Sequence, residues 1–157
     1  MKVKLLVANG VNLDLLGKRE TNIYGSFDLQ SLEDFLSKEC GILVRSVFEK
    51  QISNYEIEFF QSNEESKFLE KLSSSDWDGA LINPGAWTHT SLALGDRLSS
   101  IKKPFVEVHI SNIARREDFR KISYSAPSAC GVVYGFGMDS YSVALLGLLK
   151  AICRISA

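Results

Sequence analysis

Five short apolar runs along the chain predict buried β-strands. Their lengths and their content of Val, Ile, Leu and Phe are typical of strands that are covered on both faces, as in a parallel sheet. The runs span residues 3–8, 57–60, 80–82, 105–108 and 131–134.

Between these runs, apolar residues recur at the three- and four-residue spacing of amphipathic helices. The first pattern follows Asp28, a suitable helix N-cap, and the last follows Asp139. The others lie around Phe68 and around Leu94. Strands that alternate with helices predict an α/β fold with right-handed crossovers. We therefore expect a flavodoxin-like domain with a five-stranded parallel sheet flanked by helices.

Two segments do not fit this alternation simply. Residues 42–53 could continue the first helix past Gly41 or could form a short strand. Residues 10–27 form a polar, turn-rich connection, longer than the usual loop between a strand and a helix. Long loops in compact domains are often functional, so we expect a lid over a site.

Composition narrows the class of protein. The chain has 157 residues, 45% of them hydrophobic and 24% charged, so one globular domain over residues 1–157 is expected. Eighteen Lys and Arg face 19 Asp and Glu, and this balance predicts no nucleic-acid partner. No apolar run approaches the roughly 18 residues of a membrane span, and the amino terminus does not resemble a signal peptide. With three cysteines at unrelated spacings, these features predict a cytoplasmic protein without a membrane partner.

Polar residues cluster directly after the first, third and fourth predicted strands. In open α/β sheets, ligands bind beyond the carboxyl ends of the strands. The two histidines of the chain, His89 and His109, both fall at such ends. Glu107 and His109 are two residues apart on one strand and therefore share a face. These positions predict a ligand site with acid–base groups.

Other interpretations compete with this one. A histidine at a strand end is more often a structural residue than a catalyst. The segment from Gly10 to Lys18 loosely resembles a phosphate-binding P-loop, but its spacing is wrong and no Ser or Thr follows the lysine. No motif typical of metal sites accompanies the His and acidic residues, so no metal ligand is predicted. The arginines at 115, 116 and 120 could form a solvated helix face.

Taken together, the polar segments resemble the signature of the type II 3-dehydroquinate dehydratases. The amino-terminal block is Asn9-Gly10-x-Asn12-Leu13-x-x-Leu16-Gly17-x-Arg19-Glu20-x-x-x-Tyr24-Gly25. Further blocks follow in the family's order at residues 60–63, 82–86, 88–91, 107–112, 116–124 and 131–137. The resemblance covers nearly the whole chain, and the fold of that family is flavodoxin-like.

The chain also departs from the family pattern. Val11 replaces a usual Pro, Trp87 replaces a Tyr or a smaller residue, and residues 63–66 lack the usual His-Glu-Gly. Extra residues lie between Cys40 and Glu56. None of these changes removes a group that the family's chemistry needs.

The resemblance implies conversion of 3-dehydroquinate to 3-dehydroshikimate plus water, a step toward chorismate and the aromatic amino acids. The hydrogen lost is α to a ketone, so an enolate mechanism needs neither metal nor cofactor. The implied base is Tyr24, with Arg19 as the cation that makes its phenol more acidic. Asn12 is implied to stabilise the enolate oxygen through a water. His109 is the implied general acid, held and stabilised in its charged form by Glu107.

The same resemblance implies how the substrate is held. Asn83, Ser111 and the backbone N–H of Ile110 would bind its carboxylate. His89, Arg120 and Asp96 would bind its ring hydroxyls, with Asp96 reaching in from a neighbouring subunit. Members of the family are commonly homododecamers, so we expect a homo-oligomer. Two alternatives stay open: a non-catalytic small-molecule binding protein on this fold, and a flavodoxin-like nucleotide or flavin binder.

Overall fold

The structure, a computed structural model of the chain, describes residues 1–18, 27–74 and 76–156. Its five strands are all parallel and form one sheet in the order β2-β1-β3-β4-β5. The strands are β1 (Lys2–Asn9), β2 (Asn54–Gln61), β3 (Gly79–Asn83), β4 (Phe105–His109) and β5 (Gly131–Tyr134). This arrangement confirms the predicted α/β class and has the strand order of flavodoxin-like folds.

Helices connect the strands and cover both faces of the sheet. They are α1 (Leu29–Ser46), α2 (Glu65–Ser73), α3 (Trp87–Thr90), α4 (Leu92–Ser100) and α5 (Asp139–Ile155). The predicted N-cap of α1 is confirmed, because Oδ1 of Asp28 accepts a hydrogen bond from the backbone N–H of Ser31 at 2.8 Å. In the described parts of the chain, no helix combines the length and apolar content needed to span a membrane.

The hydrophobic core consists of two layers, one on each face of the sheet. Alternate strand residues point to opposite faces, so Leu5 and Val7 pack against α1 and α5. Leu6 and Ala8 of the same strand pack against α2 and α4. Both faces of β1 are therefore buried, as its continuous apolar run predicted.

Residues 42–46 continue the first helix, and residues 47–53 form turns, so the predicted alternative of a short strand is wrong. Helix α1 passes through Gly41 and ends at Ser46. Beyond the helix, Phe48 and Ile52 are buried in the layer beneath α1 and α5. This segment thus lengthens a helix and adds to the core, far from the carboxyl ends of the strands.

The topology creates a crevice between β1 and β3. The chain leaves β1 toward β2 on one side and returns to β3 on the other, so the sheet order reverses at β1. Asn9 and Asn83 are paired in register at the ends of these two strands. A reversal point of this kind is where open α/β sheets bind ligands.

Two glycines allow the loops after β1 and β3 to touch backbone to backbone. A Cβ atom on Gly10 would lie 2.5 Å from the carbonyl oxygen of Pro84. One on Gly85, whose φ is +63°, would lie 2.6 Å from the carbonyl oxygen of Val11. The backbone N–H of Gly10 also donates to the carbonyl of Asn83 at 2.7 Å. No side chain larger than hydrogen fits between these loops.

This contact predicts opposite effects for two glycine substitutions. Gly10→Ala should lower the free energy of unfolding by about 1–3 kcal/mol, because the new methyl group overlaps backbone atoms. Gly147→Ala should raise it by about 0.5–1 kcal/mol, because Gly147 lies in α5 with no atom within 4 Å of its added Cβ. Denaturant unfolding of both variants measures these changes, and equal effects of the same sign would contradict the argument.

Candidate active site

A cavity of about 530 Å³ opens at the carboxyl ends of β1, β3 and β4. Its walls come from the loops that follow these strands and from two short turns at 113–115 and 118–121. Most of the sequence-predicted site residues that the structure describes line it. They are Asn12, Asn83, His89, His109, Ile110, Ser111 and Arg120.

The acidic partner of His109 lies beneath the cavity wall. The carboxylate of Glu107 has no exposed surface, and its Oε1 lies 2.7 Å from Nε2 of His109. This contact confirms that the two side chains share one face of β4. With Nε2 engaged, Nδ1 is the ring nitrogen that remains for a ligand.

Three hydroxyl groups complete the surroundings of Glu107. Ser125 and Ser123 donate to Oε2 at 2.5 and 3.0 Å. The Thr88 hydroxyl lies 3.2 Å from Oε1 and 2.5 Å from the Ser125 oxygen, to which it donates because the proton of Ser125 goes to Glu107. Burial by itself would raise the pKa of Glu107. The hydrogen bonds from His109, Ser125 and Ser123, with the charge of His109, outweigh burial and hold this pKa below its ordinary value. The carboxylate is therefore ionised at neutral pH.

His89 is held as a neutral ring. Burial lowers the pKa of His89, and the positive charges of His109 and Arg120 lower it further, against the opposing effect of the Ile122 carbonyl. Its Nδ1 lies 2.6 Å from the carbonyl oxygen of Ile122, so Nδ1 carries the proton and Nε2 is a free acceptor. The rings of His89 and His109 are nearly parallel, with centroids 6.4 Å apart.

Asn12 adopts a left-handed backbone conformation, with φ of +66°. Its backbone N–H donates to Oδ1 of Asn63 at 2.8 Å. Nε2 of Gln61 donates to the same oxygen at 3.1 Å, so the end of β2 braces the loop that presents Asn12. Asparagine tolerates this region of backbone space better than most residues.

The arginines near the cavity do not form a single helix face. Arg115 and Arg120 lie on separate short turns, and both line the cavity with Arg116. Nε of Arg120 lies 3.0 Å from a carboxylate oxygen of Glu117. The alternative interpretation of these cations as one solvated helix face is wrong.

Besides Glu107, one predicted site residue that the structure describes does not line the cavity. Asp96 is exposed on α4 and does not line the cavity of its own chain. Tyr24 and Arg19 lie outside the described residues, as does much of the predicted lid at 10–27. Among residues 1–18, 27–74 and 76–156, no three His, Cys, Asp or Glu side chains are grouped to hold a metal ion.

The residues that hold these groups were not predicted as site residues from the sequence. Thr88, Ser123 and Ser125 surround Glu107, and Asn63 braces Asn12. Thr88, Ser123 and Asn63 fall inside the matching blocks, which was the only signal that marked them. Small polar residues in loops have no periodicity that would indicate a buried carboxylate nearby.

Comparison with known proteins shows the family to which the chain belongs. Residues 3–149 match the family model for dehydroquinase class II. The chain is 42% identical to the 3-dehydroquinate dehydratase of Helicobacter hepaticus, over 99% of this chain and 94% of that protein. It is 45% identical to the 3-dehydroquinate dehydratase of Thermotoga maritima, over 91% of this chain and 92% of that protein.

Solved structures show the same similarity. The type II dehydroquinase from Propionibacterium acnes superposes with a TM-score of 0.83 at 34% identity, covering 96% of this chain and 98% of that one. The type II dehydroquinase from Butyrivibrio crossotus gives a TM-score of 0.79 at 36% identity, covering 99% of both chains. The chain therefore belongs to the class II dehydroquinase family.

Proposed function

We propose that this chain is a hydro-lyase that dehydrates 3-dehydroquinate to 3-dehydroshikimate in the shikimate pathway. The names of its relatives support this assignment, since the matched proteins of Helicobacter hepaticus and Thermotoga maritima are 3-dehydroquinate dehydratases. The observation on this chain that carries the proposal is the pair of Glu107 and His109, a buried carboxylate bonded to a histidine in a cavity wall.

The reaction needs three kinds of group. A base removes the proton α to the ketone, and the electron pair of that C–H bond becomes an enolate. A donor stabilises the enolate oxygen. The enolate then collapses to a double bond conjugated with the ketone, while the C–O bond to the β-hydroxyl breaks. A general acid supplies the proton with which this hydroxyl leaves as water.

His109 is proposed as the general acid. The ionised Glu107 accepts from Nε2 and stabilises the imidazolium, while Nδ1 is left to donate to the departing hydroxyl. Thr88, Ser123 and Ser125 hold Glu107 in place, and Glu107 in turn fixes the orientation of the His109 ring.

Tyr24 is proposed as the base and Arg19 as the cation beside it, on the strength of the family signature. Asn12, in the described part of the same loop, lines the cavity and is proposed to stabilise the enolate oxygen through a water.

The rest of the cavity suits a polyhydroxylated carboxylic acid. Asn83, Ser111 and the backbone N–H of Ile110 line one wall and are proposed to bind the carboxylate. The acceptor Nε2 of His89 and the donor group of Arg120 are proposed to bind one ring hydroxyl from two sides. A hydroxyl can satisfy both, because it donates and accepts at once.

We further propose a cytoplasmic homo-oligomer, a homododecamer by analogy with the family. The exposure of Asp96 on α4, beside the exposed Leu92, is compatible with its contributing to the cavity of a neighbouring subunit.

The activity is tested by ultraviolet absorbance, because the product contains a conjugated enone. His109→Ala should fold normally but lose about 10²–10⁴-fold in kcat, the contribution typical of a general acid. Calorimetry with quinate, which lacks the reactive ketone, serves as a control for an intact site. Near-normal turnover in the variant would remove His109 from this role, and an inactive wild-type protein would support a non-catalytic binder.

The proposed base is tested by pH–rate profiles. Tyr24→Phe should abolish turnover while quinate still binds, since the ring still fills its space. Arg19→Gln should shift the basic limb of kcat/KM to higher pH, because an adjacent cation favours the phenolate. Arg19→Lys should be intermediate, since it keeps a charge without the planar fork. A uniform loss at every pH would restrict Arg19 to positioning the substrate.

The lowered pKa of Glu107 predicts a pH-dependent stability. Its carboxylate stabilises the fold above the ordinary Glu pKa, about 4.3, and this stabilisation is lost as pH falls through the lower folded-state pKa. The gap in unfolding free energy between the wild type and Glu107→Gln should therefore narrow as the pH falls below about 4. The exposed Glu49→Gln is the matched control. A gap that stays constant with pH would contradict the prediction.

A further inference from the structure

A buried tyrosine lies directly behind the wall formed by Asn83. Tyr141, in the first turn of α5, has no exposed surface. Its hydroxyl donates to Oδ1 of Asn9 at 2.5 Å and accepts from Nδ2 of Asn83 at 2.8 Å. The three side chains form a buried chain of hydrogen bonds across the ends of β1 and β3.

These bonds determine which way the Asn83 amide faces. A phenol has one proton, and here it goes to Asn9, so the Tyr141 oxygen can only accept from Asn83. On the other side, Oδ1 of Asn83 accepts from the backbone N–H of Gly85 at 3.1 Å. Exchanging the oxygen and nitrogen of this amide would place donor against donor at Gly85. One N–H of Asn83 is thus bonded to Tyr141, and the other remains for the cavity that Asn83 lines.

We propose that Tyr141 is a positioning residue that keeps an N–H of Asn83 directed at the ligand carboxylate and so gives the cavity its preference for a carboxylate. This inference rests on the proposed function, in which Asn83 binds the carboxylate of 3-dehydroquinate. Without the Tyr141 hydroxyl, only the weaker contact with the Gly85 N–H would orient the amide, so its oxygen would face the ligand part of the time and repel an anion.

Tyr141 is not a second base. Burial raises the pKa of Tyr141, and the hydrogen bond from Asn83 offsets only part of this rise. Its hydroxyl contacts the amides of Asn9 and Asn83, and Tyr141 is not among the residues that line the cavity. It therefore acts through Asn83.

The ring and the hydroxyl of Tyr141 have separate roles. The ring packs in the core layer beneath α1 and α5, whereas only the hydroxyl reaches Asn83. Tyr141→Phe keeps the ring and removes one of the two bonds that orient the amide, leaving only the bond from the backbone N–H of Gly85. Tyr55→Phe is the matched control, because Tyr55 packs against the same core layer at the opposite end of the sheet.

The experiment compares two ligands that differ in charge. Quinate and its carboxamide are titrated into the wild type and Tyr141→Phe by calorimetry, and kcat and KM are measured with 3-dehydroquinate. We expect quinate to bind about tenfold more weakly to the variant, as for the loss of a charge-assisted hydrogen bond. Binding of the carboxamide should change little, because an amide can bond to either orientation of Asn83. KM should rise by a similar factor with kcat nearly unchanged, and Tyr55→Phe should change none of these values.

Two further variants make the test decisive. In the Asn83→Ala background, Tyr141→Phe should have no additional effect on quinate affinity, since the two residues act through one bond. If Tyr141→Phe does not fold, Asn9→Leu frees the phenol proton to turn toward Asn83 and should cause the same selective loss.

If Tyr141→Phe weakens the affinity for quinate and for its carboxamide equally, Tyr141 is merely structural and the inference is overturned. Unchanged affinity for both ligands would also overturn it. The binding measurements are independent of turnover. A wild-type protein that binds quinate more tightly than its carboxamide but does not dehydrate 3-dehydroquinate would contradict the proposed function. The calorimetric comparison of the two ligands would still decide the role of Tyr141.

Discussion

Glu107 places a charge at the end of β4 where water cannot reach it. An isolated carboxylate would be unstable there, and the chain compensates with one imidazole and three hydroxyls. These groups come from β4, from α3 and from the loop before β5. The loop at 122–128 has a second task, because the carbonyl of Ile122 sets the tautomer of His89. The hydrogen bonds to the Glu107 carboxylate therefore connect the segments that orient His89 and His109.

The position of the other site residues depends on the close approach of the loops after β1 and β3. The sheet order reverses at β1, which opens a crevice beyond β1 and β3. Gly10 and Gly85 then let the two loops meet backbone to backbone, so Asn12 and Asn83 reach the same space. Residues outside the cavity lining hold both asparagines, because Asn63 bonds to the backbone of Asn12 and Tyr141 bonds to the amide of Asn83.

The strands and the α/β fold class could be predicted, because continuous apolar runs indicate strands that are buried on both faces. The pattern was weaker at β2, an edge strand that begins at Asn54 although its apolar run begins only at 57. Residues 42–44 have side chains that favour β-strands, yet they are helical. In the helix, Val44 lies one turn after Cys40, so both side chains are buried in the same core layer. Glu107 and His109 could be paired from their spacing. The hydroxyl groups around Glu107 could not be predicted from the sequence, because the conformation of the segments that carry them depends on the completed sheet.

The hydrogen bond between Asn9 and Tyr141 joins residues 132 positions apart. It has a consequence for the order of assembly. While the chain is being synthesised, β1 and β3 can pair before α5 exists, but the amides at their ends then lack the phenol that orders them. The recognition surface is therefore completed only when α5 docks on the sheet. A nascent or partly unfolded chain with a native-looking sheet would hold its ligand poorly, so ligand and α5 would stabilise each other.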